Sequence, residues 1–289
     1  MAYWASDRSA LTRALSLVIH ERWQAVAVLS PDDRPLVPVL GDDEVHVLHF
    51  SLDQERSGME VLLQALNETE RTRADRFIRP IHQTRFANGR AILRQILGLY
   101  VGKGSGSVEF TYGPQGKPAL VHGVGERPLE FNLSHSEDQA LCALAWERPV
   151  GVDIEGKRER IAAEAIARRY FGLMEIEALA AQENSQSRQE VFYQYWTAKE
   201  ALLKGVGGGL TVALDRCEFS LDTNPFALAL TDLPEISQAN WNVYGLHGLG
   251  AYAGAVAISG GGGIIINHSW NPLSLETWPH GAQEPLHKK

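Results

Sequence analysis

Two short segments, Gly151–Glu155 (GVDIE) and Trp196–Lys204 (WTAKEALLK), place three carboxylates and an ammonium at spacings suited to chemistry on a phosphate. In the first, Val152 and Ile154 alternate with Asp153 and Glu155, so on a strand both carboxylates project from one face. In the second, helical spacing sets Glu200 one turn after Trp196 and one turn before Lys204, which adds a third carboxylate and a cation to one helix face. Mg²⁺ takes oxygen ligands and usually shares them with substrate phosphates, so the set suits a magnesium ion carrying a phosphate compound. Plainer readings exist for each piece. Asp153 and Glu155 also fit the polar edge of a half-buried strand, and Glu200 with Lys204 fits a surface ion pair of about 0.3–0.5 kcal/mol.

Further candidates lie upstream. His135 stands between Ser134 and Ser136 in NLSHS, read as a loop after an apolar strand, where hydroxyls and imidazole could cradle phosphate; a core histidine satisfied by backbone is the alternative. Lys117 follows Gly116 and precedes Pro118, a position that also suits a plain turn residue. The run Gly207–Gly209 follows a helix instead of opening one, the reverse of a phosphate-binding P-loop, and reads as a helix terminus. No GxSxG, HExxH or CxxC pattern occurs, so the chain offers no recognisable nucleophile elbow or zinc site.

The elements that must position these residues are bounded by composition. At 289 residues with 44% hydrophobic content, the chain can bury a sizeable core in two domains of ordinary size. Cys142 and Cys217 sit in apolar or strand-like runs and read as packing residues in a reducing compartment. No signal peptide and no apolar run near the roughly 20 residues of a membrane span is visible, which predicts a cytoplasmic protein. A net charge of −8 argues against nucleic-acid binding. Yet Arg71 to Lys117 holds nine basic residues against Asp75 and Glu109, a local excess of +7 that would attract a polyanion or an acidic protein.

The pattern predicts an N-terminal extension over 1–43 with a helix from Leu11 to Val28, a first α+β half over 44–149, a second over 150–265, and a peripheral tail over 266–289. Setting Arg85–Gly98 against Tyr195–Gly208, an offset of 110, matches Phe86 with Trp196 and Arg94 with Lys204, and puts Arg90 where Glu200 stands. The fold class expected is therefore α+β, two pseudo-symmetric halves with the active site in the cleft between them. One half would bring cations for phosphate, the other carboxylates for metal.

NLSHS, GVDIE and WTAKEALLK, in this order, closely resemble the signatures of 4′-phosphopantetheinyl transferases of the larger, pseudo-dimeric Sfp type, over about Val45 to Ser259. The resemblance implies that Asp153, Glu155 and Glu200 hold Mg²⁺ on the pyrophosphate of coenzyme A and that Lys199 and Lys204 serve its phosphates. It also implies that Ser134 and His135 contact phosphate, that Arg85 lies near the 3′-phosphate, and that Lys117 sits beside the adenine. The implied reaction moves the phosphopantetheine arm onto a serine hydroxyl of an apo acyl or peptidyl carrier protein and releases adenosine 3′,5′-bisphosphate. Glu200 would take the serine proton, directly or through a metal-bound water, with Asp153 and Lys204 completing the catalytic set. A monomer is expected, since an internal repeat builds the cleft within one chain. A non-catalytic binding module and a magnesium-dependent phosphohydrolase are the alternatives.

Overall fold

The computed structural model describes residues 24–26, 39–54, 56–158, 161–207 and 214–272. After β1 (Gln24–Val26), the chain runs through β2 (Glu44–Ser51), three helices α1 (Arg56–Leu63), α2 (Glu68–Asp75) and α3 (Pro80–Tyr100), a short 3₁₀ turn (Ser105–Ser107), a hairpin β3 (Phe110–Tyr112) and β4 (Pro118–Leu120), then β5 (Leu129–Ser136) and β6 (Gln139–Trp146). The same order follows again: β7 (Val150–Gly156), α4 (Ala163–Tyr170), α5 (Leu173–Ala180), α6 (Ser185–Val206), a 3₁₀ turn (Leu214–Arg216), hairpin β8 (Cys217–Ser220) and β9 (Ala227–Thr231), a short α7 (Pro234–Ser237), β10 (Asn242–Leu246) and β11 (Tyr252–Ile258). In both runs the first strand pairs antiparallel with the last, which pairs with the one before it: β2–β6–β5 and β7–β11–β10.

The α+β class is thus seen directly, and so is a repeat, but its offset differs from the one expected. Glu70, at the third position of α2, accepts the Asn67 amide at 3.1 Å and the Arg94 Nε at 2.8 Å. Glu175, at the third position of α5, accepts the Gly172 amide at 3.0 Å and Lys199 Nζ at 2.7 Å. Arg94 donates onward to the carbonyls of Ser105 and Val108, and Lys199 to those of Leu214 and Cys217. Arg94 and Lys199 are therefore equivalent, as are Glu70 and Glu175, each pair 105 positions apart, not 110. With that offset Gln95 stands opposite Glu200 and Leu99 opposite Lys204. On the strands the same offset matches Leu48 of β2 with Asp153 of β7 and Phe50 with Glu155, each paired across to the last strand of its half. The expectation that Arg90 mirrors Glu200 is overturned: Arg90 pairs with Glu70 inside the first half.

Period-two alternation decides how the layers stack. Leu48, Phe50, Cys142 and Leu144 join Ile92, Leu93, Ile96 and Leu97 of α3 in one core. Val45, Val47, Leu141 and Ala143 point the other way and meet Val152, Ile154, Val256 and Ile258 in a core between the two sheets. Ala255 and Ala257 face Phe192, Tyr195 and Ala198 of α6. The result is four layers, α3, sheet, sheet, α6, in which apolar burial on both faces of each central strand drives the halves together. Cys142 and Cys217 are buried within these cores, as expected of packing residues.

Two boundaries need correction. Gln24–Val26, inside the segment expected to be helical, is a strand parallel to β12 (Ile264–Trp270); the rest of that helix lies outside the described residues. The tail expected from 266 onward is not peripheral up to Trp270, because β12 inserts between β1 and β2 in the first-half sheet, parallel to both. Within β12, His268 is 2% exposed with neither ring nitrogen partnered, its ring 4.7 Å from that of His46. No helix among the described residues is long and apolar enough to cross a membrane.

Candidate active site

The seam between the halves runs where β5 lies against β7. It is not a backbone ladder. Alternate side chains of β5 reach across instead: Asn132 Oδ1 accepts the Val152 amide at 2.9 Å, Ser134 Oγ donates to Asp153 Oδ1 at 2.9 Å, and Ser136 Oγ donates to Glu155 Oε2 at 3.1 Å. Ser136 Oγ also accepts the Gly156 amide at 3.1 Å. This explains why NLSHS needs small polar residues at every second position. His135 is on the strand, paired with Ala140, and not in a loop as the sequence predicts.

Helix α6 lies over β7. Its start is capped by Asn184, whose Oδ1 accepts the Ser187 amide at 2.8 Å, and its end by Gly207 in the left-handed conformation at φ 77°, which confirms the helix-terminus reading of that glycine. Gly208 and Gly209 lie outside the described residues. Lys204 Nζ lies 2.6 Å from Asp153 Oδ1 and 2.8 Å from Ser134 Oγ, so strand, helix and seam meet at one carboxylate. Asp153 is 2% exposed, and its second oxygen, Oδ2, is buried without a hydrogen-bond partner.

Glu155 and Glu200 stand half-buried beside it. Burial raises the Glu155 pKa, and the charge of Asp153 adds to that, while hydrogen bonds from Ser136 and Trp196 and the charge of Lys204 oppose it. Burial also raises the Glu200 pKa, followed by Asp153 and Glu155, with Lys204 opposing. Three carboxylates thus share one field with one lysine. Among the described residues no three carboxylate, histidine or cysteine side chains form a ready metal cage. The donor set nevertheless fits a hard cation: all-oxygen, with an unpartnered buried carboxylate oxygen beside two carboxyls whose ionisation a positive charge would favour.

Cations from both halves converge on His135. Burial lowers its pKa, and the charges of Lys204 and Arg85 lower it further, which fits an exposed imidazole backed by protein on one side. Arg85 forms a two-pronged pair with Asp53, Nε at 2.8 Å and Nη2 at 2.6 Å, and this carboxylate raises its pKa.

Two expected coenzyme A contacts do not face this region. Lys199 is 1% exposed and locked to Glu175, Leu214 and Cys217, inside the body of the second half; one residue's rotation on α6 separates it from the face that carries Glu200 and Lys204. Lys117 is turned inward, its Nζ donating to the Val150 and Gly205 carbonyls at 3.2 and 3.1 Å. Sequence reasoning also missed Asn132 and the bonds of Ser136 and Trp196 to Glu155; the alternation of polar residues in FNLSHS was the available signal for the first two.

Part of the basic excess is engaged within the chain as well. Arg90 and Arg94 pair with Glu70, Arg71 donates to the Leu66 and Gln64 carbonyls, and Lys103 pairs with Glu126. Arg73, Arg76 and Arg79 stay on the surface, beside exposed Phe77, Ile78 and Ile81.

A family model described as the 4′-phosphopantetheinyl transferase superfamily matches residues 149–257. The 4′-phosphopantetheinyl transferase HetI of Nostoc sp. (strain PCC 7120) is 43% identical over 179 residues, 62% of this chain and 75% of that protein. The 4′-phosphopantetheinyl transferase Sfp of Bacillus subtilis is 28% identical over 185 residues, 64% of this chain and 77% of its own. The solved holo-[acyl-carrier-protein] synthase of Thermotoga maritima aligns with 39% of this chain and 63% of its own at 23% identity and a TM-score of 0.33, a likeness on which nothing further rests. With the matched model spanning β7 to β11, and so the strand and helix that meet at Asp153, the chain belongs to the 4′-phosphopantetheinyl transferase family of enzymes.

Proposed function

We propose that this transferase moves the phosphopantetheine arm of coenzyme A onto a serine hydroxyl of an apo acyl or peptidyl carrier protein, and that adenosine 3′,5′-bisphosphate leaves. The observation that carries the reading is the buried, unpartnered Oδ2 of Asp153 with Lys204 on its other oxygen. Asp153 and Glu200, with Glu155, would hold Mg²⁺, which when bound neutralises charge on the pyrophosphate and polarises the phosphorus under attack.

The chain's own residues supply the rest. Glu200 takes the proton of the attacking serine. Lys204 meets the charge that develops on the phosphoryl and bridging oxygens. Ser134 orients Asp153 and Lys204 together. His135 and Arg85 face the phosphates, with Arg85 exchanging Asp53 for a phosphate oxygen in the same two-pronged geometry. The nucleophile comes from the partner, consistent with a chain that offers no recognisable nucleophile elbow of its own. The core between the sheets joins the halves within one chain, which supports a monomer.

The test is to incubate the chain with coenzyme A, Mg²⁺ and an apo carrier protein and weigh the carrier by mass spectrometry. A phosphopantetheine increment that disappears in Asp153→Ala and Glu200→Ala supports transfer. Coenzyme A cleaved without carrier modification would mean a phosphohydrolase, and neither outcome a binding module.

A further inference from the structure

Lys117 belongs to the first half, at the foot of the β3–β4 hairpin, yet both acceptors of its ammonium belong to the second. Val150 opens β7. Gly205 lies in the last turn of α6, where carbonyls lack an acceptor's partner within the helix and where the helix dipole favours a cation. At this point β7 and α6 touch backbone to backbone. A Cβ on Gly151 would overlap the Ala201 carbonyl and the Gly205 amide, and one on Gly205 would come 2.6 Å from the Trp241 ring. At that point no side chain separates the two backbones. Asp153 follows Val150 by three residues, and Lys204 immediately precedes Gly205.

We propose that Lys117 is a positioning residue, a strap from the first half that holds the end of α6 against the start of β7 and thereby sets Lys204 on Asp153. The role rests on the transfer reading given above and differs from contact with the adenine or phosphates of coenzyme A. A methionine at 117 would fill the same space without bridging the two carbonyls, so the end of α6 would lose that tie to the start of β7. Small misplacements of a charge-stabilising group reduce turnover far more than they reduce ground-state binding.

The experiment uses the full chain, after the wild type has been shown to modify an apo carrier; failure of that step sinks the transfer reading and not the strap alone. Lys117→Met and Lys117→Gln are then compared with wild type in two measurements, kcat for carrier modification and the Kd for coenzyme A by calorimetry. The strap predicts that Lys117→Met loses roughly tenfold in kcat with Kd within about twofold of wild type, and that Lys117→Gln, which keeps a donor, loses less. A Kd that rises by more than kcat falls makes Lys117 a ligand contact and overturns the proposal, as does a variant unchanged in both. If Lys117→Met does not fold, Lys117→Gln alone decides by the same comparison.

Discussion

Lys204 Nζ sits 2.6 Å from Oδ1 of Asp153, while Oδ2 of the same carboxylate is buried with no donor. One oxygen is balanced by the protein and the other is left for something else. The same Asp153 charge raises the pKa of both Glu155 and Glu200. Asp153→Asn should therefore lower both glutamate pKa values in the metal-free protein, read by carboxyl NMR titration, while carrier modification falls by about 10² or more. Unshifted glutamates would refute the shared field.

The pH dependence of metal-free stability has a definite sign here. Glu155 and Glu200 keep their protons longer in the folded than in the unfolded chain, so stability falls as pH rises from about 4.5 through their raised folded values. A cation at the site removes that loss only where the carboxyls are ionised. Mg²⁺ should raise Tm more at pH 7.5 than at pH 5, measured by differential scanning fluorimetry; an equal increment at both would speak against these two glutamates.

Burial with no hydrogen bond brings the His268 pKa down to about 4, and the neighbouring His46 contributes in the same direction. The unfolded chain then takes the proton first, so stability declines as pH falls from 6.5 towards 4, by at most about 3 kcal/mol. His268→Phe should flatten this acid limb in urea titrations at pH 5 and pH 7. A variant with the wild-type slope would place the acid sensitivity elsewhere.

Lys199 and Glu175 are each fully enclosed. Lys199→Met alone should cost roughly 3–5 kcal/mol, because a carboxylate is left buried, and adding Glu175→Gln should recover part of that loss. Chemical denaturation of the two variants measures it. Coenzyme A affinity, corrected for the folded fraction, should not change.

Arg76 and Arg79 are the exposed basic residues next to Phe77 and Ile78, the latter 98% exposed. Reversing both to glutamate should raise KM for an acidic carrier several-fold and leave KM for coenzyme A as it was, since steering by surface charge acts on the partner's approach. Steady-state kinetics with each substrate varied in turn will tell; an unchanged carrier KM removes this corner from docking.

What could be read from sequence followed period and spacing. The alternation in GVDIE put Asp153 and Glu155 on one face, and the helical step put Glu200 near Lys204, because both depend on local geometry alone. The fate of Lys199 did not. Its partner Glu175 lies on another helix, and nothing in WTAKEALLK tells a core lysine from a site lysine. The same ambiguity misled the repeat: matching Arg94 by residue type selects Lys204, whereas the equivalent cation is Lys199, identified only by the glutamate and carbonyls it binds. Polar Asn267 and His268 made β12 look like a tail, yet both are 2% exposed. Lys117 reads as a turn residue until the second half is folded beneath it.

The position of β12 sets an order of events during synthesis. The first-half sheet has β2 at its centre, with β6 on one side and β12 on the other, and β12 begins only at Ile264, after all of the second half has been made. A nascent chain emerging from the ribosome can fold β2 to β6 early, but that sheet carries an open edge at β2 until residue 270 arrives. The second half, whose three sheet strands all lie between Val150 and Ile258, needs no segment from beyond its own bounds. The half translated first is thus the half completed last.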